Sequence, residues 1–241
     1  MRLRVDLTPD PPYGEELVVL VDVLRATTSI GMLLEAGASE VWVTRSTRAA
    51  RERAAEEDLL LGEKEGLPPE GFHHGTSPAA LERIDVRGRR IFYTSDHLPA
   101  ALESADRTAG AWLASLRNAP AVVERLDAEA PSQAVLVCAG FRGAEALDDA
   151  LAAGLIVRAL STRRQPLALE DAARLSASLP VAFASPLEAL AASASGRFLR
   201  GMGFEADLVV ASRVGADRTV PVLQGSERTR AGRLYRFVAL P

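Results

Sequence analysis

Leu17-Val18-Val19-Leu20-Val21-Asp22-Val23-Leu24-Arg25-Ala26-Thr27-Thr28 is the stretch that decides how this 241-residue chain folds. Its first five residues are apolar and rich in β-branched side chains, the pattern of a strand buried on both faces of a parallel or mixed sheet. Asp22 ends the run. Beyond the polar turn, Ile30, Leu33 and Leu34 recur at helical spacing across 29–36, and Gly37 is placed to stop that helix. The unit is therefore strand, polar turn, helix.

Working outward, the unit repeats, with a strand at 40–43, an Ala/Arg/Glu helix at 47–57 and a buried strand at 59–61. Such alternation predicts an α/β fold, a mostly parallel or mixed sheet flanked by helices. Further strands are predicted at 90–93, 134–138 and 181–184, helices at 118–126, 147–160 and 187–194, and closing strands at 208–212, 220–224 and 234–238. Residues 1–241 read as one unit; if it divides into two lobes around a cleft, 161–166 is the candidate boundary. The 62–77 loop holds four glycines and two prolines. It exceeds the ~2–6 residues usual for such connections, which makes it a candidate site wall.

At 48% hydrophobic and 25% charged residues the composition is that of a globular protein able to bury a core. The net charge of -4 comes from acids and bases spread along the chain, so no basic stripe recommends nucleic acid, and the 5% aromatic content gives no stacking ladder for bases. The one cysteine, Cys138, cannot form an internal disulfide or a thiolate zinc cluster, which fits a reducing, cytoplasmic setting. No apolar run approaches the ~20 residues that cross a bilayer, so no membrane partner is expected. A symmetric homodimer is the default for such proteins.

In doubly wound sheets ligands gather beyond the carboxyl ends of strands. Four polar clusters follow apolar runs: Asp22 with Arg25, Thr27 and Thr28; Glu63; Thr94-Ser95-Asp96-His97; and Cys138-Ala139-Gly140 with Asp148 and Asp149. Carboxylates at several strand ends offer hard oxygen ligands for magnesium, while Arg25 and a helix start suit a phosphate or sulfonate. Known phosphatase templates can be checked directly. Arg142 follows Cys138 too soon for a thiolate phosphate loop, and Asp22 lacks the second aspartate of the aspartyl-phosphate type. No Walker loop is present. Cys138 reads either as a small buried hydrophobe or as a nucleophile, and the His73-His74 pair as solvent-exposed or as metal ligands.

Taken in order, several blocks resemble the 2-phosphosulfolactate phosphatase family: 21–28 above all, then Leu61-Gly62-Glu63-Lys64-Glu65-Gly66, Gly75-Thr76-Ser77-Pro78, Ser115-Leu116-Arg117-Asn118-Ala119, Leu136-Val137-Cys138-Ala139-Gly140, Leu147-Asp148-Asp149, and Ser195-Gly196-Arg197 ahead of Gly203-Phe204. The resemblance implies hydrolysis, with Mg2+, of a phosphate ester on a small sulfonated hydroxy acid, on the route to coenzyme M. It implies Asp22, Glu63 and Asp149 as metal or water-orienting acids. Arg25, Thr27, Thr28 and Ser77 would face the anionic substrate, and Asn118 and Cys138 would line the same cleft. The chain departs from the family pattern at Lys64, His73, Thr76 and Asp96-His97-Leu98. Those departures leave a second reading, a catalytically silent relative that binds a small anion as a sensor or interaction protein.

Overall fold

The computed structural model describes residues 1–104, 110–164 and 166–240. The chain opens with β1 (Arg2–Asp6), β2 (Leu17–Val21), α1 (Ala26–Glu35), β3 (Glu40–Thr44), α2 (Thr47–Arg53), β4 (Leu59–Gly62) and α3 (Pro78–Leu81). It continues with β5 (Arg90–Thr94), α4 (Leu98–Ser104), β6 (Gly110–Ala114), α5 (Ala119–Glu129), β7 (Gln133–Cys138) and α6 (Leu147–Arg163). After β8 (Ala168–Leu169) come α7 (Asp171–Ala182), α8 (Pro186–Ala192), α9 (Ala194–Gly201) and α10 (Glu205–Ala211), and the hairpin β9 (Val220–Arg228) and β10 (Arg233–Leu240) closes the chain.

The strands form one mixed sheet in the order β4-β5-β3-β10-β9-β6-β2-β7-β1-β8. β2 lies parallel between β6 and β7, with Val21 in register with Ala114 and Cys138. Its alternate residues serve opposite faces: Leu17, Val19 and Val21 pack with α5 and α6 through Val122, Leu126, Leu151 and Ile156, while Val18 and Leu20 pack on Ile30, Leu33 and Leu34 of α1. Each such fully buried side chain contributes about 1.5–3 kcal/mol.

Three successive antiparallel pairings, β3 with β10, β10 with β9 and β9 with β6, set the parallel block β4-β5-β3 against the sense of the block β6-β2-β7-β1-β8. In a flat sheet their carboxyl ends would leave from opposite edges. A twist of roughly 20–25° per strand accumulates between β2 and β5 and turns much of that opposition back. Val41, Val43, Ile91 and Tyr93 share one buried cluster with Val18, Leu20 and α1, so the sheet curls about this helix.

Most predicted elements are present, with three corrections. α1 begins at Ala26, three residues before the predicted start, because the Ser29 amide already donates to the Arg25 carbonyl at 3.0 Å, which makes residues 26–28 the first turn of the helix. The strand predicted at 181–184 is instead the last two residues of α7 and the bend after it, where Val181 is 66% exposed, and an unrelated short strand, β8, pairs with β1. The strand predicted at 208–212 is α10; Asp207, Leu208 and Ala211 are buried at helical spacing while Val209 is 43% exposed. A short continuous apolar run has no period to distinguish the two. The candidate lobe boundary at 161–166 falls at the end of α6, and its Gln165 lies outside the described residues.

Among the described residues no single helix is long and apolar enough to cross a membrane.

Candidate active site

A cleft of about 450 Å³ opens where loops from both halves of the sheet converge. Asp22, Leu24, Arg25 and Ala26 enter it from the end of β2, Glu63, Glu65 and Gly66 from the end of β4, and Ser95, Asp96 and His97 from the end of β5. Phe141 and Arg142 follow β7, Ser195, Phe198 and Leu199 come from α9, and Thr76 belongs to the long loop predicted as a wall. Gly62, at the start of that loop, has no space for a side chain: a Cβ would lie 1.9 Å from Thr94 Oγ1.

Asp22 is 5% exposed, its Oδ1 accepting from the Ala26 amide at 3.4 Å and its Oδ2 buried without a hydrogen-bond partner among the described residues. Burial, with the charges of Asp148 and Glu63 adding to it, raises its carboxyl to about 7, against the Ala26 amide and Arg25. Glu63 is braced: Oε2 accepts from the Gly66 amide at 2.7 Å and Oε1 from the Asp96 amide at 3.3 Å. Arg25, 6% exposed, donates through Nη1 to Asp207 Oδ2 at 3.2 Å and through Nη2 to the Gly66 carbonyl at 3.0 Å, and its guanidinium lies 4.8 Å from the Phe204 ring centroid. The Leu24–Arg25 peptide bond is cis.

Of the residues proposed from the sequence, Asp22, Arg25 and Glu63 are brought together in the cleft with Ser95, Asp96 and His97, while Thr27, Thr28, Ser77, Asn118, Cys138 and Asp149 are not among its lining. Asp149 accepts from the Val23 amide at 2.8 Å through Oδ1 and from the Gly140 amide at 3.0 Å through Oδ2, so both oxygens clasp the loops after β2 and β7. Burial and the charges of Asp148 and Asp22 push its carboxyl well above the usual range. Thr27 and Thr28 do not face the cleft: their hydroxyls donate back to the carbonyls of Asp22 and Val23, both at 2.8 Å. Ser77 caps α3 and donates its hydroxyl to Asp207 Oδ1.

Asn118 accepts from the Ser115 amide at 2.8 Å and donates to the carbonyls of Leu113 and Thr219, both at 3.1 Å, so it staples the start of β9 to the end of β6 and is not part of the cleft lining. Cys138 is a core residue at 0% exposure, its thiol pushed up by burial and by the charges of Asp149 and Asp148. A thiol held protonated is no nucleophile. The departures from the family pattern divide likewise. His73 accepts from the Leu60 amide at 2.9 Å away from the cleft, and Leu98 is a fully buried first residue of α4, whereas Thr76, Asp96 and His97 do line it.

Asp207 was not singled out in the sequence. It is 1% exposed, pairs with Arg25, and also accepts from Ser77 and from the Ala79 amide at 3.2 Å. Asp148 is a second acid behind the cleft, accepting from Ser195 Oγ at 3.0 Å; burial raises it to about 6.

Among the described residues no three His, Cys, Asp or Glu side chains converge as a complete metal cage. Magnesium is commonly held by only one or two carboxylates, with water and substrate oxygens supplying the rest. The unpartnered Asp22 Oδ2, buried amid other carboxylates, fits that manner of binding, because a cation would offset the charge that burial makes costly.

The family model described as 2-phosphosulpholactate phosphatase matches residues 3–226. A Deinococcus radiodurans protein named "Probable 2-phosphosulfolactate phosphatase" is 38% identical over 242 residues, covering 99% of this chain and all of its own length. Proteins of the same name from Thermus thermophilus and Symbiobacterium thermophilum are 37% and 30% identical, covering 93% and 90% of this chain and 95% of their own lengths in both cases.

Proposed function

This chain belongs to the 2-phosphosulfolactate phosphatase family, and we propose that it hydrolyses 2-phosphosulfolactate to sulfolactate and inorganic phosphate in a magnesium-dependent reaction, on the route to coenzyme M. The observation that carries this reading is the buried, unpartnered Oδ2 of Asp22 sharing a cleft with Glu63 and Arg25. Asp22, beside Glu63, would hold the ion. When bound, the ion would neutralise phosphoryl oxygens and favour water as nucleophile.

The chain's own groups do the remaining work. A guanidinium has five N–H donors. Arg25 spends two on Asp207 and the Gly66 carbonyl and keeps others for a phosphoryl oxygen, while its ion pair and the Phe204 ring hold the fork in place. Glu63, tied at both oxygens to loop amides, keeps the loops after β4 and β5 in register with Asp22. In the reaction the water oxygen bonds to phosphorus, the ester oxygen leaves with its electron pair, and a proton passes to that oxygen. Alignment and charge neutralisation supply most of such catalysis.

Phosphate release from 2-phosphosulfolactate, measured with Mg2+ and again with EDTA, tests the proposal. Turnover that needs the metal is expected. Binding of the substrate without phosphate release under any divalent cation would instead favour the silent anion-binding relative, for which Asp96 and His97 in the cleft are the supporting residues.

A further inference from the structure

Two arginines line the cleft, and they differ in state. Arg25 is buried and its charge is matched by Asp207. Arg142 is exposed, and among the described residues its guanidinium has neither a carboxylate partner nor a hydrogen bond. It is nonetheless held: its central carbon lies 5.2 Å from the Phe141 ring centroid and 4.9 Å from that of Phe198, rings that are themselves 5.7 Å apart.

The backbone is built to present this side chain. Phe141 and Ala144 exchange amide-to-carbonyl hydrogen bonds of 2.9 and 3.1 Å, closing a tight turn with Arg142 inside it at φ 54, in the left-handed region that non-glycine residues seldom adopt. Gly140 at φ 75 leads into the turn, and a Cβ there would come 2.5 Å from the Ala144 carbonyl oxygen. A guanidinium laid on aromatic faces keeps its N–H edge available for a planar pair of oxygens.

The remaining lining is hostile to anions, since Asp22, Glu63, Glu65 and Asp96 all enter the cleft. An ester that also carries an acid group therefore needs a second cationic contact beyond the phosphoryl end. We infer that Arg142 is the specificity-determining residue that grips the carboxylate or sulfonate of the substrate, an inference that rests on the phosphatase reading for the identity of that substrate. Selection works by charge: a phosphate ester without an acid group cannot use this contact, and an acid-bearing one gains it.

The test is isothermal titration of sulfolactate, the product, into the wild-type protein and into Arg142→Gln and Arg142→Lys. Roughly tenfold weaker binding is expected for Arg142→Gln, with partial recovery for Arg142→Lys, which keeps the charge and loses the fork. Lactate, which has the carboxylate alone, and isethionate, which has the sulfonate alone, identify the group gripped. In turnover, the ratio of kcat/KM for 2-phosphosulfolactate to that for isopropyl phosphate should fall by a similar factor in Arg142→Gln. Equal sulfolactate binding by wild type and Arg142→Gln, or no binding by wild type at millimolar ligand, overturns the inference. Weakened binding in the variant with no phosphate release by the wild type would instead uphold Arg142 and sink the phosphatase proposal.

Discussion

Two buried Arg–Asp pairs sit in different places, one at the cleft and one away from it, and this allows positioning of the cleft to be separated from stability. Arg25–Asp207 borders the cleft, while Arg117–Asp217 joins the end of β6 to the segment before β9 through contacts of 2.7 and 2.6 Å. Asp207→Asn preserves volume and an oxygen for Ser77 and Ala79, but turns an amide donor toward Arg25 Nη1, where Oδ2 now accepts at 3.2 Å. Breaking a buried pair at one partner costs about 3–5 kcal/mol, and the retained contacts place this change near the lower end, ~3 kcal/mol. For a chain of this length that lowers Tm by roughly 6–12 °C. Asp217→Asn should cost about as much, since Arg117 keeps one contact to residue 217 and the Val210 carbonyl at 3.1 Å. Activity should divide them. Asp207→Asn frees Arg25 to move, and a displacement of about 1 Å at a positioning group can cost ~100-fold, so kcat/KM for phosphate release should drop roughly 10- to 100-fold. Asp217→Asn should stay within about twofold at temperatures where both are folded. Calorimetry and a phosphate-release assay on the two variants provide the measurement. Equal losses of activity, or full activity in Asp207→Asn, would refute the assignment of Arg25 to the reaction.

Asp22→Asn removes a formal charge from the proposed ion site, so kcat should fall by roughly 100-fold and recover in part with excess magnesium; a magnesium titration of initial rates checks this. Cys138→Ala should keep kcat within about twofold while losing about 1 kcal/mol of stability, and iodoacetamide should leave the native thiol unlabelled, as mass spectrometry can read. Asp6 offers a pH test. Burial raises its carboxyl from 3.8 to about 6, against the charge of Arg4, so between those values the folded state holds more protons than the unfolded and stability falls as pH rises. Allowing for solvent screening the loss is about 1 kcal/mol, and thermal melts from pH 4 to 7 should show a shallower decline in Asp6→Asn.

The fold was legible where periodicity and punctuation agreed. β2 announces itself by five apolar residues closed by an aspartate, and all five are buried because parallel neighbours stand on both sides. β1 was not visible, because Arg2-Leu3-Arg4-Val5-Asp6 alternates too briefly and lies beside the start of the chain, yet it sits between β7 and β8. The antiparallel hairpin that reverses one block against the other could be read as strands but not as a reversal, since sense is decided by pairings that β9 and β10 make with partners over a hundred residues away.

The site was legible as a neighbourhood and illegible in its division of labour. The rule that ligands collect beyond strand ends selects Asp22, Glu63 and Asp149 equally, because it depends only on position. What separates Asp22 from the other two is how many amides reach each carboxylate, since Glu63 also has an amide on each oxygen. Asp149 meets one amide 126 residues away in Val23 and another in Gly140, and both its oxygens are consumed. Among the described residues Asp22 meets only the Ala26 amide, four residues on, and one oxygen is left over. Backbone amides at strand ends must find acceptors, so in a convergent cleft some acids are used up holding loops and the surplus remains for chemistry. Asp207 shows the converse: nothing in Glu205-Ala206-Asp207-Leu208 marks a site, and only the arrival of Arg25, Ser77 and Ala79 from other elements makes that helix face polar. The functional distinction among these aspartates therefore arises from tertiary hydrogen bonding, and a search for catalytic acids in this fold should begin with the carboxylate oxygens that the backbone leaves unclaimed.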